Sequence, residues 1–333
     1  MSAPASASAQ RFLSCDWGTS SFRLRLVEVT TRRVIAESRG DQGVAATFAA
    51  WKTAGGKPEH RWHHFSRVIN HQLAQLADET RASLAGIPLV ISGMASSSIG
   101  MRELPYSELP LILDGSGLVV ERVVAQADFP HPVLLISGVR SDDDVMRGEE
   151  TQLIGACALA AVDPAPAARR RFVFPGTHAK HVDVHGVRAV GFRTYMTGEF
   201  FDLLSSKSVL ANSVAAGADL GVAENLIGFA AGVRAGAAGN LLHAAFSVRT
   251  CALLEKAAAT ENYHYLSGLL IGAELRDLDA PEAPITLVGA GPLLAAYRHG
   301  FHFLGKPAPL AVLDADDCLI AGQLTVATRL GLL

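Results

Sequence analysis

Between residues 15 and 29 the chain reads CDWGTSSFRLRLVEV. An acidic residue, Asp16, stands before Gly18, Thr19, Ser20 and Ser21, and apolar runs flank the group. A turn of this composition brings backbone N–H groups and hydroxyls into one small volume. Gly18 allows a tight turn and a close ligand approach. Convergent N–H groups make an anion nest. Asp16 repels phosphate but can hold a magnesium ion, directly or through water, that bridges to phosphate oxygens. The chemistry is that of a metal-plus-phosphate cradle; the plainer alternative is a hairpin with a polar turn. A second glycine–threonine turn, Pro175-Gly176-Thr177-His178, lies far downstream with Lys180 beside it. Two such turns, one per domain, could face each other across a cleft and grip a polyphosphate from both sides. The familiar nucleotide loops G-x-x-x-x-G-K-[ST] and post-strand G-x-G-x-x-G are absent.

Three more stretches carry polar chemistry. SDDDVMRGEE, residues 141–150, leads through Asp144 and Arg147 to Glu149 and Glu150 at a predicted helix start. Two glutamates there complement the helix dipole on the simplest view. GMASSSIG, residues 93–100, follows a strand end; its serines suit hydroxyl recognition, or only cap a local turn. Gly289, Ala290 and Gly291 end a strand and open a helix, where a ligand can approach the backbone. His178, His181 and His185 find no ligand set beyond Asp183, so no metal is expected there.

The elements that must position these groups follow from hydrophobic periodicity. Residues 12–17 and 22–29 read as strands, the second alternating Phe22-Arg23-Leu24-Arg25-Leu26. Helical spacing covers about 61–84 and 149–162, and short apolar runs at 88–94 and 132–139 read as buried strands. DPAPAARRR, 163–171, is the expected linker. Beyond it come strand, turn and hairpin, helices near 198–206, 224–238, 248–260 and 262–278, a strand at 285–291, a helix at 292–303, a last strand, and a helix at 316–330. Both halves open with strand, Gly-Thr turn and strand. Alternating strands and helices imply a layered α/β architecture. The expected division is a disordered tail at 1–10, an N-terminal domain at 11–163 and a C-terminal domain at 170–333.

Composition narrows the partners. Of 333 residues, 49% are hydrophobic and 18% charged, a well-buried globular balance. A net charge of −3 gives no basic face for nucleic acid, so a small molecule is the expected ligand. Mean hydropathy is +0.25, yet the most apolar stretch, 153–162, is half of the ~20 residues a membrane span needs. The four cysteines are far apart without metal or disulfide spacing, and MSAPASASAQ has no apolar core of a secretory signal, so a cytoplasmic protein is expected.

The first turn resembles the first phosphate motif of the hexokinase–actin–Hsp70 superfamily. DWGTSSFRLRL, SGMASSSIG, VMRGEETQLIGA, PGTHAKHV, FRTYMTGE, YLSGLLIGAE and ITLVGAG together resemble the 2-dehydro-3-deoxygalactonokinase family. That resemblance implies two actin/hexokinase-like (ribonuclease H-like) domains with a cleft between them. It implies a kinase using ATP and Mg²⁺ on the 6-hydroxyl of 2-dehydro-3-deoxy-D-galactonate. Asp16 would hold the metal, and Gly18, Thr19, Ser20, Ser21, Gly176, Thr177 and Lys180 the phosphates. Gly289, Ala290 and Gly291 would face adenosine. Broader sugar kinases place a Gly-Asp pair, whose Asp is the base, where this chain has Gly148-Glu149; Glu149 is the candidate base, Asp144 the reserve. Arg147 or Arg193 would take the substrate carboxylate, with Arg102 and Arg140 as competitors. Met94, Ser96 and Ser97 would line the sugar pocket. The gluco epimer, a polyphosphate or nucleotide phosphatase of the same fold, and a non-catalytic ATP- and sugar-sensing regulator stay open as alternatives, as does assembly into a homo-oligomer.

Overall fold

The computed structural model describes residues 10–160, 165, 168–217, 219–278 and 283–333. The expected tail, apart from residue 10, and much of the expected linker lie outside them. In chain order the elements begin β1 (Arg11–Trp17), β2 (Phe22–Glu28), β3 (Val34–Gly40), α1 (Val44–Thr53), α2 (Arg61–Thr80) and β4 (Leu89–Gly93). Next come β5 (Ser107–Glu108), β6 (Leu111–Ile112), β7 (Val120–Val123), β8 (Val133–Ile136), β9 (Val139–Arg140), β10 (Val145–Met146) and α3 (Glu149–Leu159). Then follow β11 (Arg169–Phe174), β12 (Ala179–His185), β13 (Arg188–Tyr195), α4 (Thr197–Ser206), α5 (Ala223–Ala238), α6 (Leu241–Leu253) and α7 (Ala259–Arg276). The chain ends with β14 (Ile285–Gly289), α8 (Gly291–Phe303), β15 (Ala311–Asp314) and α9 (Ala315–Arg329).

Two compact units result. The first draws on residues up to 164, on 187–191 and on 316–333; the second on 165–186 and 192–315. The expected C-terminal domain ran through to 333, so the placement of α9 in the first unit is a correction. Its reason is chemical: Gln323 of α9 donates to Cys15 O and Ser92 Oγ, at 3.0 and 2.8 Å, across the backs of β1 and β4. Asp316, near the helix start, meets Arg23 Nη1 at 3.0 Å.

The first unit's main sheet has the order β3-β2-β1-β4-β8-β7. β1 to β3 are antiparallel neighbours, and β4 and β8 add in parallel to β1. The second unit repeats this plan as β13-β12-β11-β14-β15, with β14 and β15 again parallel to β11. The N-terminal end of β13 also pairs with β6, through Arg188↔Ile112 and Ala189↔Leu111.

Trp17, Phe22, Leu24, Phe65 and Ile69 centre the core between the first sheet and α2. Val173, Phe229, Ile271, Tyr297 and Phe301 centre that of the second unit. The alternation of β2 suggests one wet face, but Arg25 is fully buried: Glu37 of β3 takes its Nε at 2.5 Å, and Asp316 Oδ2 lies 2.7 Å from Nη2 without hydrogen-bond alignment. At Arg25 this polar face is covered, with Asp316 of α9 against it, while Arg23 stays partly exposed.

α3 and α9 touch backbone to backbone. A Cβ on Gly155 would lie 1.8 Å from Cys318 O, and one on Gly322 would lie 1.9 Å from Thr151 O. Gly155→Ala is therefore expected to destabilise the protein by about 1–3 kcal/mol or more, as overpacking does. Thermal melts should show roughly 2–4 °C of lost Tm per kcal/mol. Gly239→Ala, whose Cβ would make an ordinary 3.5 Å contact with Ala235 O, should melt like the native protein.

Candidate active site

In each unit the chain leaves the central strand on one side and returns on the other. Such a switch point opens a crevice at the carboxyl ends of the parallel strands, where α/β sheets bind ligands. In the first unit this is the end of β1 against β4, with Asp16 opposite Ser92 and Trp17 opposite Gly93. Gly93 has φ +90°, and a Cβ there would lie 2.8 Å from Trp17 O. Gly148 has φ +110°, and its Cβ would lie 3.5 Å from Gly93 Cα. Two residues in the left-handed region, which glycine favours, thus set the start of α3 against the ends of β1 and β4. Glu149 follows at once, and its Oε2 accepts from the Arg147 amide at 3.1 Å. Burial pushes the Asp16 carboxyl above its ordinary pKa. Arg23 and Arg25 oppose that rise, while the charges of Asp316 and Glu149 add to it.

The Gly18–Ser21 turn is held from outside by α1. Val44 N donates to Gly18 O at 2.9 Å and Ala45 N to Thr19 O at 3.1 Å, while a Cβ on Gly43 would strike Thr19 O at 2.3 Å. The second turn is held likewise by α4. Glu199 N donates to Thr177 O at 3.0 Å, and a Cβ on Gly198 would lie 2.5 Å from Gly176 O. In both cases helix amides that would otherwise lack partners consume turn carbonyls. Among the described residues the amides of Thr19, Ser20, Gly176 and Thr177 donate no backbone hydrogen bond. Thr19, Ser20, Ser21 and Thr177 are exposed.

Hydrogen bonding sorts the arginines. Arg102 pairs with Glu121 and Arg140 with Glu108. Arg147 instead meets neutral groups: Nη1 donates to Ser96 O at 2.9 Å and Ser96 Oγ at 2.5 Å, and the guanidinium stacks 4.3 Å from the centre of the Tyr106 ring. Its Nε is buried without a partner. Ser96 and Ser97 are buried, and Ser97 Oγ donates to Met94 O at 2.7 Å, closing the loop that Met94 begins. Asp144 lies earlier in the Arg147 loop, where its Oδ1 accepts from the Val145 amide at 2.7 Å.

In the second unit Gly176, Thr197, Gly198, Phe201, Pro292 and Tyr297 are among the residues around a mainly apolar cavity of about 720 Å³. It lies where β11 and β14 release the chain. Gly291, at the start of α8, has φ +61°, and a Cβ on Gly289 would lie 3.1 Å from Leu294 Cδ2 and 3.6 Å from Pro175 Cδ. Ala290 and Gly291 are exposed; Pro292 and Leu293, just beyond them, reach the cavity. Lys180 is buried, its Nζ donating to His178 O at 3.0 Å. Arg193 belongs to this unit too, in a separate recess of about 180 Å³ with Arg171, His181, Asp183, Tyr195 and Asp277. His181 and His185 are engaged with Glu274 and Arg169, at 2.8 and 2.9 Å.

Sequence reasoning missed Asp316, whose charge acts on Asp16 from a helix 300 positions away in the chain. It missed Tyr106, which lies in no recognisable motif. It also gave Glu150 only a helix-dipole role. Glu150 is fully buried; its Oε2 accepts from Gly148 N at 2.6 Å, and Thr151 Oγ1 donates to Oε1 at 2.9 Å. Burial first, and the charge of Glu149 second, raise its pKa to about 7.

Two units of one strand order, each bracing a glycine–threonine turn with a helix start, make a two-unit α/β fold. Residues 16–326 match the family model described as DGOK, 2-keto-3-deoxy-galactonokinase, and the chain belongs to this family. It is 34% identical over 325 residues to the Rhizobium meliloti (strain 1021) protein named "Probable 2-dehydro-3-deoxygalactonokinase DgoK1", covering 96% of each chain. It is 31% identical to the 2-dehydro-3-deoxygalactonokinase of Escherichia coli (strain K12), covering 95% of this chain and 97% of that one. A crystal structure assigned to a 2-dehydro-3-deoxygalactonokinase protein from Sinorhizobium meliloti superposes with a TM-score of 0.76 at 30% identity, over 97% of this chain and all of that one.

The raised pKa of Glu150 has a signed consequence. Its unfolded value is near 4.5 and its folded value about 7, so the native state binds this proton more tightly. The group weakens the fold progressively from pH 4.5 to 7 and fully above that. Glu150→Gln keeps an acceptor for Gly148 N and removes the titration. The Tm of the variant minus that of the native protein should rise between pH 5 and pH 8; a flat difference in melts at both pH values would refute the assignment.

Proposed function

We propose that this chain transfers the γ-phosphoryl group of ATP to the 6-hydroxyl of 2-dehydro-3-deoxy-D-galactonate, giving 2-dehydro-3-deoxy-6-phospho-D-galactonate in D-galactonate breakdown. The observation that carries the reading is a pairing two residues apart. Arg147, the loop arginine with neutral described partners, stands beside Glu149 at a helix start. A guanidinium fork suits the carboxylate of a sugar acid; a carboxylate suits its hydroxyl.

Phosphoryl transfer asks for positioning and charge stabilisation more than covalent chemistry. Arg147 anchors the substrate carboxylate, and the Met94–Ser97 loop shapes the sugar pocket. Glu149 orients the 6-hydroxyl and accepts its proton as O6 bonds to the γ-phosphorus and the bond to the bridging oxygen of ADP breaks. In the second unit the apolar cavity takes the adenosine, and the amides of Gly176 and Thr177 meet phosphate oxygens. Lys180, with its ammonium on a backbone carbonyl, adds positive charge there.

Asp16 fits magnesium. Burial and the charges of Asp316 and Glu149 disfavour its anion, and a divalent cation relieves both. Among the described residues no cluster of three or more His, Cys, Asp or Glu could hold a metal; magnesium commonly needs only one or two carboxylates beside phosphate and water. When bound, the ion neutralises charge on the transferring phosphates. No helix among the described residues is long and apolar enough to cross a membrane. With buried thiols at Cys15 and Cys318, we place the enzyme in the cytoplasm with the ATP pool.

An ADP-coupled assay should show turnover with the galacto acid, less with its gluco epimer and none with ordinary hexoses; ATP consumption that ignores the acid would end the proposal. Glu149→Gln should cut kcat by roughly 10²–10⁴, the share of a positioned acid–base group, with the KM for ATP held within about twofold. Arg147→Gln should raise the KM for the sugar acid by roughly 10- to 150-fold, the range of a charged hydrogen bond, as steady-state kinetics with varied sugar acid would record.

A further inference from the structure

The second unit contains a buried carboxylate that the mechanism above does not use. Glu274 of α7 is 3% exposed. Its Oε2 accepts from Thr197 Oγ1 at 2.5 Å and from Tyr297 OH at 2.6 Å, and its Oε1 lies 2.8 Å from His181 Nε2. The donors come from α4, α8 and β12. A buried anion is tolerated only when hydrogen-bonded or paired, and here three separate segments supply the partners. Those segments are PGTHAKHV, FRTYMTGE and ITLVGAG with the helix after it; the acceptor ends YLSGLLIGAE. Phosphate chemistry explains glycines and threonines in these stretches, not His181, Glu274 or Tyr297.

We propose that Glu274 is a positioning residue for the nucleotide, acting through Thr197 and Tyr297; this rests on reading the cavity as the adenosine site. Thr197 and Tyr297 line that cavity, and Glu274 itself does not. Thr197 is also the first residue of α4. The next residue, Gly198, presses on Gly176 O and on Thr177 Cα, at 2.5 and 2.7 Å from its would-be Cβ, and Glu199 N donates to Thr177 O. Fixing Thr197 therefore fixes the helix start that holds the phosphate-binding turn. The charge of Glu274, and its hydrogen bond from the phenol, also raise the Tyr297 pKa, after burial itself, so the phenol keeps its proton and donates it in a hydrogen bond to Glu274.

The test is calorimetric titration of ADP and, separately, of the sugar acid into the full-length protein. Glu274→Gln and Thr197→Val should each weaken ADP by roughly 5- to 30-fold, the effect of one or two hydrogen bonds. The sugar acid should bind within about twofold of native, and Thr197→Val should add little in the Glu274→Gln background. Steady-state kinetics should show a raised KM for ATP with kcat within about threefold. A folded Glu274→Gln protein that binds ADP normally, or loses both ligands equally, overturns the proposal. Should Glu274→Gln fail to fold, native ADP affinity in both Thr197→Val and Tyr297→Phe does the same. Ala295→Trp, which fills the cavity wall, separates the two claims. Undiminished ADP binding there removes the cavity reading and this inference with it; weakened binding there, with Glu274→Gln unaffected, removes the inference alone.

Discussion

A turn can cradle an anion only if its amides point outward unspent while its carbonyls are satisfied elsewhere. The carbonyl half of that constraint is met twice in this molecule by one device: the first amides of a helix donate into the carbonyls of a glycine–threonine turn. Val44 and Ala45 do it for Gly18 and Thr19; Glu199 does it for Thr177. The exchange serves both partners, since helix N–H groups at the start have no intrahelical acceptor. It also explains the glycines at Gly43 and Gly198. Amide and carbonyl meet at hydrogen-bonding distance only if the helix start carries no Cβ on that side. Under the proposed function, the phosphate contact of each unit would depend on its own braced turn.

The electrostatics of the first unit follow from burying the other face of β2. Arg25 is enclosed with Glu37 and Asp316, and Asp16 lies in the field of Arg23, Arg25, Asp316 and Glu149. Removing charges from water is expensive unless they are paired, so the arginines and acids must be read together. The two arginines hold Asp16 toward its anion; Asp316 and Glu149 pull the other way. Under the proposed function, a magnesium ion beside Asp16 would add more positive charge to that balance.

Much of the plan was legible in the chain. Short apolar runs ending in glycine marked β4 and β8, and the paired Gly-Thr turns marked both switch points, because turn chemistry is local. What was not legible depends on contacts between distant positions. Helix α9 reads as an ordinary terminal helix of the second half; the hydrogen bonds of Gln323 to Cys15 and Ser92, with its close contact to α3, show where it packs. The alternation of β2 does not show that Arg25 is buried, which follows from Glu37 and Asp316 beside it. The four arginines considered for the carboxylate looked alike as letters. Glu121 and Glu108 occupy Arg102 and Arg140, Arg193 sits in a recess of the second unit, and Arg147 meets serines and a tyrosine ring.

The two units share a strand order but not a chemistry, and the difference lies in what fills each switch point. In the first unit the residues at the switch point are polar: Asp16 near the end of β1, Ser96 in the loop after β4, Arg147 just before α3 and Glu149 at its start. Their backbones can converge because Gly93 and Gly148 both take positive φ. In the second unit the same position is apolar, and its polar groups are withdrawn one layer behind the wall, onto Glu274. A crevice that must move a proton needs carboxylates at its surface. One that must hold a flat, weakly polar base needs an apolar wall whose few hydroxyls are fixed from behind. Under the proposed function, a single supersecondary plan would yield a reactive site in one copy and a nucleotide site in the other, decided by where the buried charge is placed.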